Sequence, residues 1–230
     1  MIKIAHQNIE TTMELNSCSP LVLSVENSKE FYNFIIQLEE AFSEKASAFS
    51  FWNGDELISP EKIGEIIINP FCFDAADKKI INLLYKKLQC NYNDGTFILR
   101  FNEISASIEE FLYELCASVD FAIEHQAMAL EDLLKICSVK PVKNHVNLLE
   151  KLICYVNIFA ELKRVSFFVL VGFKDVLTNE ELILLYRHCA LNKISLFLVE
   201  RRTEKRIENE RKIIITEDLC EIVENIPQIC

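Results

Sequence analysis

Short apolar runs alternate with stretches of helical periodicity along most of the chain. "PLVLSVEN" (residues 20–27), "VSFFVLV" (165–171), "SLFLVE" (195–200) and "KIIIT" (212–216) are near-continuous apolar runs bounded by turn residues. Such runs predict strands of a sheet covered on both faces, the pattern of a parallel sheet. "IKIA" and "TTMEL" flank a polar connection and predict an N-terminal hairpin. Ser28 is read as the cap of a helix "KEFYNFIIQLEEAF", whose Phe31, Ile35, Leu38 and Phe42 recur at helical spacing. "SAFSFW" and "GEIIINPF" read as further strands. A helix beginning at Asp74 or a neighbour carries Ile80, Leu83, Leu84 and Leu88 on one face, and "NYNDG" (91–95) reads as a turn or loop.

From about Ala106 to Lys163 the pattern is helical, without strands. "SIEEFLYELCASVDFAIEH" places Ile108, Phe111, Leu112, Leu115 and Val119 on one face and carboxylates on the other. "ALEDLLKI" is a short helix. "HVNLLEKLICYVNIFAELK" (145–163) is apolar almost all round, so it either runs through the middle of the fold or packs against another subunit. The organisation expected is an α/β head in two parts, 1–100 and 164–230, with a helical leg inserted at 101–163.

The stretch "SFFVLVGFKDVLTNEELILLYRHCALNKISLFLVE" (166–200) reads strand, turn, helix, strand, the crossover unit of nucleotide-binding enzymes. Its turn, "GFKD", has no glycine-rich loop. The chain holds only four glycines, at 54, 64, 95 and 172, and none has the spacing of G-x-x-x-x-G-K-[ST] or G-x-G-x-x-G. Lys29 follows the first strand without that loop and reads as helix surface. Gly172 stands where a strand-end metal-binding acid would be, Asp175 comes three residues late, and Glu200 is a single strand-end acid. ATP hydrolysis is disfavoured. No G-x-S-x-G elbow is present, and His6, His125, His145 and His188 have no partner pattern.

One carboxylate group stands out. Asp120 and Glu124, four residues apart on the expected helix, would share a face, and Glu131 and Asp132 follow after a possible break. Convergent carboxylates suit a hard cation such as Ca²⁺; a plain solvated acidic face is the competing reading.

Charge and cysteine refine this picture. The net charge of −11 argues against a nucleic-acid binder taken as a whole. Basic residues nevertheless cluster in "ERRTEKRIENERK" (200–212) and in "KKIINLLYKK" (78–87), which holds Lys78, Lys79, Lys86 and Lys87. These are locally basic surfaces or ordinary solvated faces. Nine cysteines include no C-x-x-C pair and mostly sit in apolar runs, so they read as small core residues in a reducing compartment. No secretory signal and no membrane-spanning run is read, which predicts a cytoplasmic protein.

Taken together, "VLTNEEL", "LFLVERR", "IIINPFCFDAADKKIINLLYKKL", "LEDLLKICSVKP" and "PLVLSVEN" with its Phe-rich helix resemble the type II-A CRISPR-associated adaptation proteins, the Csn-two family. The resemblance covers nearly the whole chain and rests on patterns rather than one invariant motif. It implies an α/β head with a mostly parallel sheet, related to P-loop ATPases but lacking the phosphate loop, and an inserted α-helical leg. It implies a homotetrameric ring, calcium-assisted, that binds double-stranded DNA ends without enzymatic activity. Its implied setting is spacer acquisition, beside the CRISPR integrase proteins and the effector nuclease. The apolar helix would then pack between subunits. The metal-ligand positions carried over are Asp120, Glu124, Glu131 and Asp132; Ala122, Gln126 and Ala127 stand where some relatives have acids. The DNA-contact positions are Lys135, Lys140 and Lys143 of the leg, then Lys86, Lys87, Arg201 and Arg202. Two other readings compete with the DNA-binding ring: a degenerate nucleotide-binding protein, and an interaction scaffold built on the apolar helix that binds no nucleic acid.

Overall fold

The structure, a computed structural model, describes residues 2–74, 77–142, 145–202 and 207–225. It divides into two compact units, one of Met1–Asp74 with Asn144–Cys230, the other of Ala75–Lys143.

The first unit is built on a six-stranded sheet. Strands β3 (Leu21–Val25), β6 (Gly64–Ile67), β7 (Phe167–Val171), β8 (Ser195–Glu200) and β9 (Arg211–Ile215) run parallel. β10 (Glu221–Asn225) closes one edge antiparallel to β9, giving the order β10-β9-β3-β8-β7-β6. Every residue of β3, β7 and β8 is buried, because both faces of the sheet are covered. A four-stranded antiparallel sheet, order β2-β1-β4-β5, comprises β1 (Ile2–His6), β2 (Ile9–Leu15), β4 (Phe49–Asn53) and β5 (Glu56–Ile58). With α1 (Ser28–Phe42) it packs Ile4, Met13, Phe51, Phe34 and Leu38 against Leu23, Phe167, Val169 and Phe197 of the large sheet. The opposite face meets α5 (Leu148–Leu162), the short α6 (Phe173–Val176) and α7 (Asn179–Leu191). There Phe168 lies edge-on to Tyr155 and Phe159, which stack at 4.4 Å.

α5 therefore takes the first of its two expected places. Leu149, Leu152, Tyr155, Val156 and Phe159 are all buried within the first unit, so the main apolar face of this helix is already covered there. α7 starts on a capping box: Thr178 accepts from the Glu181 amide and Glu181 accepts from the Thr178 amide. α1 is capped by Asn27, not Ser28. The Asn27 Oδ1 accepts from the amides of Lys29 and Glu30 at 3.0 and 3.1 Å, and Ser28 becomes the first helical residue.

The second unit contains α2 (Lys78–Asn93), α3 (Ile98–Cys116) and α4 (Leu130–Ile136). α2 packs on α4, where the Tyr85 hydroxyl donates to the Leu134 carbonyl at 3.0 Å, and Tyr92 meets Phe101 of α3 edge-on. α2 begins at Lys78 rather than near Asp74 and absorbs the first half of the expected "NYNDG" turn. The units meet in sequence at 74/75 and 143/144, not at 100 and 163, because α2 belongs with α3 and α4 while α5 belongs with the sheet.

Two expectations are corrected. The helix read through His125 stops at Cys116, where the Ser118 hydroxyl donates to the Leu115 carbonyl and the Ala117 amide to the Tyr113 carbonyl. β-branched Val119 and the like charges Asp120 and Glu124 disfavour its continuation. The cysteines are mostly not core: Cys189 is buried, Cys116 and Cys154 are half-buried, and Cys18, Cys72, Cys90, Cys137 and Cys220 are exposed. They sit near element ends or on outward faces of helices, which local apolarity does not distinguish from inward ones. Cys230 lies outside the described residues.

Gly64 faces Phe167 across the β6–β7 ladder, and an added Cβ would fall 2.3 Å from the Phe167 Cζ. That ring is fully buried, stacked on Phe51 and flanked by Phe42. Gly64→Ala is expected to destabilise the protein by about 1–3 kcal/mol, read as a lower urea midpoint at unchanged m-value.

Candidate nucleic-acid interface

α2, "KKIINLLYKKLQCNYN", holds four lysines and no carboxylate. Lys86 and Lys87 are exposed and make no ion pair among the described residues. α2 itself carries no acid to neutralise them, so they form a positive patch on an otherwise acidic chain. On α4, Lys135 pairs with Glu131 one turn earlier at 2.7 Å, and this hydrogen bond raises its pKa. The pair is more than half exposed, so solvent screens it and a competing anion can displace it. Lys140, just beyond α4, is exposed and unpaired among the described residues. Four expected contact residues thus fall in the second unit. Lys143 lies outside the described residues.

Arg201 and Arg202 belong to the first unit, directly after β8. The Arg201 guanidinium donates to the Ser28 hydroxyl, and the Arg202 guanidinium pairs with Glu217 at 2.6 Å. Both are exposed.

The place a phosphate loop would occupy, between β3 and α1, is filled by the chain itself. The N-terminal amides of α1 that a phosphate would need already donate to Asn27 Oδ1, and the Glu26 amide donates to the Ile215 carbonyl. After β7, Gly172 turns the chain in the left-handed region, with φ 72°. α6 then starts directly, leaving no wrapped loop.

A buried polar cluster that sequence reasoning missed joins α6 and α7 to the end of β8 and the start of β9. Lys174 of α6 is fully buried, and its ammonium reaches both Glu210 oxygens at 2.7 Å. Glu210 also accepts from the Tyr186 hydroxyl at 2.6 Å and the Ile207 amide at 3.3 Å. Burial, then the Glu210 charge, drives the Tyr186 pKa up. Glu200 accepts from the Lys174 amide at 3.0 Å through Oε1, while its Oε2 is enclosed with no hydrogen-bond partner. Burial pushes the Glu200 carboxyl up to about 8, against the backbone donors that lower it. The only sequence signals were Glu200 flush against an apolar strand and a lysine inside "GFKDVL". Neither announces burial.

The four expected metal ligands are not brought together as a set. Asp120 and Glu124 lie between α3 and α4 with no helix to align them, which corrects the shared face expected of them. Glu131 is engaged by Lys135, and Asp132 Oδ2 accepts from the Ala129 amide at the start of α4. Among the described residues, no three His, Cys, Asp or Glu side chains gather closely enough to hold a metal ion. Of the histidines, His6 is buried against Phe34 and Phe49 with Gln37 as partner, and burial lowers its pKa. His188 pairs with Asn157 at 2.7 Å.

A family model described as "CRISPR-associated protein (Cas_Csn2)" matches residues 41–219. No curated protein sequence matches the chain. Among solved structures, an ATP-binding cassette of an ABC transporter in its ADP conformation is similar, covering 97% of this chain and 91% of that one at a TM-score of 0.46 and 8% identity. No helix among the described residues is long and apolar enough to cross a membrane.

Lys174→Met would leave Glu210 charged in the core without its cation. It is expected to cost about 3–5 kcal/mol in chemical denaturation, with the double variant Lys174→Met, Glu210→Gln recovering part of the loss.

Proposed function

The chain belongs to the Cas_Csn2 family of CRISPR-associated proteins, and from that premise we propose that it is a non-enzymatic DNA-binding protein. In this reading it assembles as a homotetrameric ring in the cytoplasm. It takes up double-stranded DNA by its ends, without reading sequence, and hands it on in spacer acquisition with the integrase proteins and effector nuclease. The observation that carries the reading is the pair Lys86 and Lys87 of α2, exposed on a helix free of carboxylates and without an ion pair among the described residues. Lysines so placed contact phosphates and position DNA; they do not specify bases. The reading as a nucleotide hydrolase is weaker, because the amides a phosphate would need are already held by Asn27. Lys135 and Lys140 join the pair as secondary contacts, and Arg201 and Arg202 as further ones. Calcium assistance belongs to this reading through the resemblance to the family.

Assembly is supported by α3 rather than by α5. None of the 19 residues of α3 is buried. Ile104, Ile108, Phe111 and Leu115 recur along one stripe of it, and Ile104, Phe111 and Leu115 are 44%, 60% and 54% exposed. An apolar stripe left open in this way marks an interaction surface.

A gel shift on one DNA, linear and as a closed circle, is the first test, run with Ca²⁺ and with chelator. The ring reading expects loading on the linear form only. Equal binding to both forms overturns threading, and no binding to either at low salt leaves the scaffold reading. Loss of loading in chelator supports calcium assistance, and unchanged loading removes it. Lys86→Ala with Lys87→Ala is expected to weaken binding about tenfold and to reduce the log–log salt slope by about 1.8, or 0.9 for each phosphate that is no longer neutralised.

Phe111→Glu with Leu115→Glu is expected to shift the sedimentation mass from four chains to fewer while leaving the circular-dichroism melt in place. A wild-type protein that sediments as one chain at micromolar concentration would remove the ring.

A further inference from the structure

Two buried carboxyl groups sit in unlike surroundings at the two ends of the Lys174 residue: Glu200, at the end of β8, meets its amide, and Glu210, just before β9, meets its ammonium. Glu210 is surrounded by donors: the Lys174 ammonium on both oxygens, the Tyr186 hydroxyl and the Ile207 amide. It is a satisfied carboxylate. Glu200, with no exposed surface, has only backbone help on Oε1, and no described residue reaches its Oε2.

The elements packed around Glu200 offer it no free cation among the described residues. From α6 come Lys174, whose ammonium is bound by Glu210, and Asp175, whose negative charge opposes ionisation. From α7 comes Tyr186, whose hydroxyl proton is directed to Glu210. Glu210, just before β9, is held at the far end of the Lys174 side chain. From β3 comes Ser24, opposite Glu200 in the ladder, buried and uncharged. Among the described residues an ionised Glu200 would be a buried charge with backbone donors but no free cation, whereas the neutral acid leaves one unsatisfied polar atom. The second is far less costly.

We propose that Glu200 is a proton-operated latch: as the neutral acid it seals the junction between β8 and α6, and on losing its proton it loosens the strand end that carries Arg201. The next residue, Arg201, reaches across to Ser28 at the start of α1, so the strand end links three elements through short polar contacts. Deprotonation leaves a charge that the enclosed Oε2 cannot share with any described donor, and the carboxylate is drawn towards water and out of the junction. Opening then begins at α6 and at residues 200–202, while the apolar interior of the sheet stays closed. This inference does not depend on DNA binding.

The direction of the pH effect follows from which state holds the proton. Between the ordinary value of 4.5 and about 8 the folded chain keeps it and the unfolded chain releases it. The stability supplied by Glu200 is complete below about 4.5 and is lost as pH rises to about 8. Within that window the folding constant falls by up to about tenfold per pH unit from this group.

The test is a titration of the full chain labelled with ¹³C at the glutamate carboxyls. One resonance is expected to titrate near pH 8, far above the others, and to be absent from Glu200→Gln. A set of midpoints confined to the usual carboxylate range overturns the proposal. Amide hydrogen exchange, corrected for intrinsic rates, supplies the second readout. Protection at Phe173, Lys174 and Arg201 is expected to fall about tenfold between pH 7 and pH 9 in the wild type and to stay constant in Glu200→Gln. A high midpoint with no change in protection means that Glu200 is a static buried acid, and the latch is then wrong. Both wild-type measurements decide the matter even if the variant does not fold.

Discussion

Strands β3, β7 and β8 are buried on both faces, and this two-sided cover constrains the rest of the first unit. A sheet buried in this way gains about 1.5–3 kcal/mol for each large apolar side chain it removes from water. It leaves no water for polar groups at the strand ends. Each end must therefore be satisfied by the chain. Asn27 caps α1 after β3, Gly172 turns the backbone after β7, and Glu200 receives the Lys174 amide after β8. Buried side-chain atoms that this arrangement leaves without a hydrogen-bond partner include Glu200 Oε2 at the end of β8 and Arg211 Nε and Nη2 at the start of β9.

The same constraint bears on why a crossover scaffold can persist without a phosphate loop. A phosphate bound at a helix start needs free amides and a backbone that can wrap it. Here the carboxamide of Asn27 takes those amides, and Arg201 holds the adjacent Ser28. The local positive end of α1 is spent on the chain's own oxygen atoms. The strand-turn-helix frame is retained because it packs the sheet, and packing requires no ligand.

The second unit is organised in the opposite way. Its helices cover little of one another: α3 buries none of its residues, and a cavity of about 350 Å³ lined by Leu88, Tyr92, Phe97, Phe101, Leu130 and Leu134 stays open among them. An apolar stripe on α3 and a lysine patch on α2 are two outward-facing surfaces with different chemistry, one suited to another chain and the other to phosphates. A net charge of −11 does not prevent the second, because α2 contains no carboxylate and screening at physiological salt confines each charge to about 8 Å.

Period and local chemistry determined much of this protein from its sequence alone. The apolar runs of β3, β7, β8 and β9, the hairpin, the helices α1, α4, α5 and α7, and the missing glycines are all properties of neighbouring residues. The α/β architecture with a mostly parallel sheet followed from them. What tertiary structure decided are the choices that local pattern leaves degenerate. Asn27 and Ser28 are both good caps, and the competing bond from Arg201 to Ser28 comes from a residue 173 positions away. The apolar periodicity of the α3 sequence continued past Cys116, yet the helix ends there and leaves Asp120 and Glu124 on no common helical face. α5 and α3 both looked able to reach a partner, but only packing could show that the sheet had already covered α5. The cluster of Lys174, Tyr186, Glu200 and Glu210 was invisible for the same reason. Burial of a charged side chain depends on which distant groups close over it, and no short window of sequence contains them.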